Sequence, residues 1–182
     1  SWGVRIILAF GLCSFFCWSV VRAGAQPNRG EKAAMRVTQF LAVVLAAYPG
    51  WVLIQGQAFP MWSSWLLVPL LAVSGIHAGM GLSRWLTKEE QLKPRREAEL
   101  IAVTSVLLLF FIMDMADYGS PLGTGAIGLL VMIGVLGIGI IAPIALLLAK
   151  GSKTLRMICI VVGCLALRVW LIVGGQTYFS NT

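Results

Sequence analysis

Charge is scarce in this sequence. Asp, Glu, Lys and Arg make up 12% of its 182 residues, about half the ~25% share of an ordinary soluble domain. That scarcity excludes a chain whose surface lies mostly in water. Histidine is scarcer still, with His77 alone. Transmembrane b-type haems are usually held by axial histidines, often in pairs. The chain by itself therefore cannot supply a bis-histidine site, and no haem is expected in it. The four cysteines, Cys13, Cys17, Cys159 and Cys164, fall inside apolar blocks and form no C-x-x-C pair. Cys13 and Cys17 share a helix face at i, i+4. A metal or cluster site needs more ligands at suitable spacing, so small buried thiols are the simpler reading and no metal ligand is expected. Nucleophilic triads, phosphate loops, zinc spacings and paired catalytic carboxylates are missing as recognisable patterns. No catalytic residue is assigned. If the protein takes part in redox work, its electrons must enter and leave through other subunits or a diffusible ligand.

What the sequence has in abundance is apolar length. It is 59% hydrophobic, and the apolar residues come in long blocks rather than at alternating or one-face spacing. About 20 such residues cross the ~30 Å hydrocarbon core. The blocks predict an all-α, polytopic transmembrane bundle of about six spanning helices, over residues 3–21, 37–54, 62–82, 100–115, 124–149 and 157–173. One bundle takes up residues 1–182 as a single unit, with no stretch left for a soluble domain. Residues 88–99 mix both charge signs and read as a solvated loop or short surface helix. Pro49, Pro69 and Pro143 fall inside blocks and predict kinks that free the carbonyls of Leu45, Trp65 and Gly139. The fifth block is rich in glycine, and Gly75 and Gly79 form a small-xxx-small pair in the third. Such residues let helices pack closely in lipid, or let a flat ligand approach. The sequence opens Ser1-Trp2, with no initiator Met and no cleavable signal pattern. An N-terminal portion outside this sequence is expected.

The net charge is +7. In a soluble protein that would suggest nucleic acid. Here the basic residues sit at helix ends, where they set topology and meet anionic lipid, so no nucleic-acid partner is expected. The first connection carries Arg22, Arg29, Lys32 and Arg36; the third carries Arg84, Lys88, Lys93, Arg95 and Arg96; the fifth carries Lys150, Lys153 and Arg156. The second, the fourth and the C-terminal tail carry none. Twelve of the fourteen basic residues thus lie on one side, which the positive-inside rule makes cytoplasmic. Both ends of the sequence then face the non-cytoplasmic side.

A few polar groups stand out against this background. His77 lies between Gly75 and Gly79 in the inner half of the third span. It reads either as a neutral histidine bonded to a neighbouring helix or as a ligand or proton-path residue. Tyr48 precedes Pro49 near the outer end of the second span, Gln55 and Gln57 follow, and Trp62 opens the third. This group reads as an interfacial aromatic belt, or as donors for a carbonyl ligand at membrane depth. Asp114 and Asp117 stand where the fourth span leaves the membrane. Arg168 lies inside the sixth, about six residues or roughly 9 Å from its end. Its head either snorkels outward or pairs with Asp114; an ion pair and a proton-relay step both fit.

The C-terminal stretch Gly163-Cys164-Leu165-Ala166-Leu167-Arg168-Val169-Trp170, closing with Gly174-Gly175-Gln176, resembles the last helix of the NrfD/polysulfide-reductase membrane-subunit family. That family tends to have a glycine, an arginine–aromatic element and a terminal Gly-Gln. Tyr48-Pro49-Gly50, Phe59-Pro60-Met61-Trp62 and the run through Pro69 to Ser74-Gly75 are similar to its tyrosine–glycine, Pro-x-Trp and Ser-Gly elements. Ser1-Trp2-Gly3 resembles an element at the start of a helix. The likeness touches four of the spans. Family members usually have eight or more, so the six here would match the later part of that core.

The resemblance implies a membrane anchor that binds quinone or quinol (menaquinone or ubiquinone) and carries no haem. It implies an iron–sulfur partner subunit, often a molybdenum-containing catalytic subunit, and a place in the bacterial cytoplasmic (inner) membrane. A tyrosine is among the family's quinone ligands, and Tyr48 is the matching position; others belong to an early helix not found in this sequence. The expected function is therefore a quinone-interacting anchor of a multi-subunit oxidoreductase. Tyr48, Gln55, Gln57 and Trp62 would stand at the quinone, and His77, Asp114, Asp117 and Arg168 in a proton path or ion pair. The competing reading is a small secondary transporter or half-transporter, which kinked helices and intramembrane charges also suit. A ligand-free structural anchor is the third.

Overall fold

Asn28 opens the best-defined helix start in the protein. Its side chain accepts from the Glu31 backbone N–H at 2.9 Å, and Glu31 Oε2 accepts from the Asn28 N–H at 2.7 Å. Two of the helix's orphan donors are satisfied in this reciprocal box. The helix that follows, α2 (Arg29–Ile54), runs on through Pro49. The computed structural model describes residues 2–22, 28–56, 62–87, 94–116, 125–149, 151–174 and 176. All its regular elements among these are helical. They are α1 (Trp2–Arg22), α2, α3 (Leu67–Thr87), α4 (Pro94–Ala116), α5 (Gly125–Leu129), a π-helical segment (Leu130–Ile141), α6 (Ala142–Leu148), α7 (Lys153–Val169) and a short π-helical end (Trp170–Gly174).

Among the described residues, five helices are long and apolar enough to cross a membrane, and Leu67–Leu82 is a shorter apolar helix. The predicted all-α bundle is thus the observed one. The third block differs from expectation at its start. Residues 62–66 fold as tight turns: the Leu66 N–H bonds Ser64 Oγ at 3.3 Å, and the Val68 N–H bonds the Trp65 carbonyl at 3.3 Å. The α-helix begins only at Leu67. Pro69 therefore stands in a first turn, where a missing N–H costs little, and the Trp65 carbonyl it was expected to free is engaged. Ahead of Pro143 the backbone shifts register instead: the Ala142 N–H bonds the Gly137 carbonyl, five residues back.

Pairs of facing residues give the packing order. Gly3 meets Tyr48 and Cys17 meets Thr38, so α1 runs antiparallel to α2. Gly50 lies against Leu67 and Val68, and Ala46 against Gly75, which sets α2 antiparallel to α3. Trp62 meets Leu171 and Gly81 meets Met157, so α7 is antiparallel to α3. Glu97 pairs with Arg156 and Phe111 meets Trp170 edge to face, which makes α4 parallel to α7. This is the alternation that successive membrane crossings require. The buried core lies among α3, α4, the π segment and α7, around Leu67, Leu70, Phe111, Val131, Trp170 and Leu171. Gly139 and Gly163 bring the π segment and α7 into backbone contact, where a Cβ on Gly139 would lie 2.8 Å from the Gly163 Cα.

Candidate functional site

The eight candidate residues separate into distinct places. Tyr48 leaves α2 toward α1, and its phenol lies over Gly3; a Cβ there would sit 2.6 Å from Tyr48 Cζ. The phenol oxygen makes no hydrogen bond to the described residues. Tyr48 is six residues before the end of α2, at most about 9 Å inside it. Gln55 caps α2, its backbone N–H bonded to the Val52 and Leu53 carbonyls, and its side chain is exposed. Gln57 and Asp117 lie outside the described residues.

Trp62 faces the other way. It is 9% exposed, its Nε1 donates to the Leu171 carbonyl at 2.8 Å, and its ring lies against Gly56. The indole thus pins the entry of α3 to the far end of α7. Tyr48 and Trp62 do not share a wall: one belongs to the α1–α2 seam, the other to the α3–α7 seam.

His77 is buried on α3, with its Nε2 shielded from solvent. It lines a cavity of about 20 Å³ with Thr104, Val135, Gly139, Gly163 and Cys164, room for about one water. The Thr104 hydroxyl donates to the Leu100 carbonyl at 2.8 Å, and Cys164 Sγ donates to the Ser74 carbonyl at 3.3 Å. Sequence reasoning singled out His77 but missed Thr104. A lone threonine in an apolar block carries no signal until the fold shows which helix it faces.

Arg168 and Asp114 are not brought together. Asp114 is exposed near the end of α4. Arg168 reaches from α7 over α3, with its Nη2 beside Gly75 and Ala46. A buried ion pair does form elsewhere: Arg156 Nε stands 2.6 Å from Glu97 Oε1, their side chains 11% and 5% exposed. Opposite charges at the same ends of two blocks were its signal in the sequence. Among the described residues, no group of three or more His, Cys, Asp or Glu side chains gathers as for a metal ion.

For a carbonyl-bearing ring the fit is partial. Tyr48 offers a donor at membrane depth that the described protein does not use, whereas the Trp62 donor is already spent on Leu171.

No family model and no solved structure matches the sequence. Among curated proteins, the C subunit of the polysulfide reductase of Wolinella succinogenes is 27% identical over 168 residues, covering 78% of this protein and 53% of that subunit. The protein thus spans about half the length of the curated relative it matches. Its sequence is thus similar to that of a polysulfide reductase membrane subunit, in line with the NrfD/polysulfide-reductase resemblance of its motifs.

Proposed function

We propose that this protein is the quinone-interacting membrane anchor subunit of a multi-subunit oxidoreductase in a bacterial cytoplasmic membrane. The observation that carries the reading is the similarity to the polysulfide reductase C subunit across 78% of its length, in a protein built of membrane-long helices. A quinone supplies two-electron, two-proton chemistry soluble in lipid. The protein's own part is to bind and orient it. Tyr48 donates a hydrogen bond to a quinone carbonyl; Gln55 stands at the same end of α2, and Gln57 is a further candidate donor from the sequence. Trp62 holds the neighbouring turn in place. Electrons pass to or from an iron–sulfur partner, with a molybdenum-containing catalytic subunit beyond it. His77, with Thr104 and the water-sized cavity they line, is a station for protons at mid-depth, with Asp114 and Arg168 toward the outer end and Asp117 a further candidate from the sequence. Both ends of the sequence face the non-cytoplasmic side.

The test is Tyr48→Phe in the intact complex. It keeps the ring over Gly3 and removes only the hydroxyl. Quinone affinity is expected to fall about tenfold, the factor that one hydrogen bond of ~1.4 kcal/mol represents. Unchanged affinity and turnover would remove Tyr48 from the site. A wild-type protein that purifies free of iron-containing partners and carries substrate flux would replace the whole reading with the transporter one.

A further inference from the structure

Arg168 ends in a planar guanidinium, a fork of donors with no acceptor, and that head rests in an unusual place. A Cβ at Gly75 would lie 3.0 Å from Arg168 Nη2 and 3.1 Å from Ala46 Cβ. The guanidinium therefore rests in a notch: Gly75 of α3 is its floor, Ala46 of α2 one wall and α7 the other. The notch exists because position 75 has no side chain.

Two ordinary companions are excluded by position. Among the described residues no carboxylate meets Arg168, since Glu97 is held by Arg156 toward the opposite end of α7 and Asp114 is exposed on α4. Nor does the head rise to the nearest headgroups. Gly75 lies eight residues inside the start of α3, about 12 Å deep, whereas the Arg168 Cα is six residues from Gly174, at most about 9 Å deep. The side chain leans toward the N terminus of its helix, as helical side chains do, and so points to greater depth. A snorkelling arginine would lean the other way.

A cation held there needs an electron-rich oxygen, because a bare charge at membrane depth is costly. The occupant must also reach that depth. A phosphate or carboxylate would have to shed its own water, whereas a neutral flat ring with carbonyl oxygens arrives from the lipid without that cost. We infer that the Arg168 guanidinium in the Gly75 notch binds a carbonyl oxygen of a quinone-type ligand. The inference rests on the quinone reading above and names a further residue for it. Arg168 lies on the α2–α3 side and Tyr48 on the α1–α2 side, so the Arg168 contact is tested separately from the Tyr48 one.

The measurement is equilibrium binding of a short-chain quinone analogue to the purified intact complex, without turnover, alongside its subunit content by native mass spectrometry. Arg168→Gln removes the charged donor. Gly75→Ala keeps Arg168 but fills the notch. Both are expected to weaken binding at least about tenfold, the scale of one charge-assisted hydrogen bond, with the complex still assembled. Arg168→Lys keeps the charge without the fork and should fall between. Wild-type affinity in Arg168→Gln and Gly75→Ala overturns the inference and leaves the quinone reading standing. Loss of a partner subunit from Arg168→Gln, with normal binding in Gly75→Ala, overturns it in favour of a partner carboxylate. A wild-type complex that binds no analogue sinks the quinone reading itself.

Discussion

The indole Nε1 of Trp62 donates to the backbone carbonyl of Leu171 across 2.8 Å, joining positions 109 residues apart. The acceptor lies in the π-helical end of the last helix, Trp170–Gly174, and the donor in the turns just before α3. The bond is buried, so neither group has water to fall back on. Trp62→Phe keeps most of the ring and deletes the donor. The buried hydrogen bond is then lost, at a cost of about 0.5–1.5 kcal/mol. A lowered thermal midpoint in detergent is expected, with quinone affinity nearly unchanged. An unchanged midpoint together with lost quinone binding would return Trp62 to the ligand.

Glu97 and Arg156 tie the starts of α4 and α7 with a contact of 2.6 Å between nearly buried side chains. Removing one partner of a nearly buried pair is destabilising, so Arg156→Met alone should cost up to about 3 kcal/mol. Changing both, Glu97→Gln with Arg156→Met, should cost less than the two single changes added together. A double-mutant cycle on unfolding in a mixed detergent system reads the difference. Strict additivity would mean the pair contributes nothing.

Much of this fold was legible because lipid imposes one strong rule: backbone polar groups must be satisfied within the segment. Apolar length therefore located the helices, and their alternation is seen again in the antiparallel and parallel contacts of α3, α4 and α7. Features that depend on neighbours were hidden. Trp62 read as a helix start or a ligand, and only Leu171 shows that it is a tether. Pro69 read as a kink because the turn at Ser64 delays the helix, which composition does not reveal. The π segment Leu130–Ile141 has the same apolar and glycine content that an α-helix would have. Arg168 was legible as an anomaly, but its seat depends on Gly75 and Ala46, two residues from two other helices.

The Gly139–Gly163 crossing offers a paired test. A Cβ on Gly163 would run into the Gly139 backbone, while a Cβ on Gly11 would meet nothing within 4 Å. Gly163→Ala must push the π segment off α7, an overpacking worth about 1–3 kcal/mol. Gly11→Ala should be neutral or stabilising by up to about 1 kcal/mol, from better helix propensity. Thermal unfolding of both variants checks the contrast. Equal effects would mean that the close crossing is not part of the folded state in the membrane.

Orientation is the remaining structural proposal, and it rests on charge. Arg22 closes α1, Arg29, Lys32 and Arg36 open α2, and Arg156 opens α7. The helix directions place these residues at one end of the bundle. If that end is cytoplasmic, then Thr154–Gly174, a 21-residue span, runs outward. Alkaline phosphatase is active only after export, so a fusion after Gln176 should be active and one after Ala149 inactive. The reverse pattern would invert the orientation and move the Tyr48 and Arg168 end of the bundle to the cytoplasmic side, along with the docking face proposed for the iron–sulfur partner. Equal activity at both points would mean that α7 does not cross, which would remove the membrane-depth argument for Arg168.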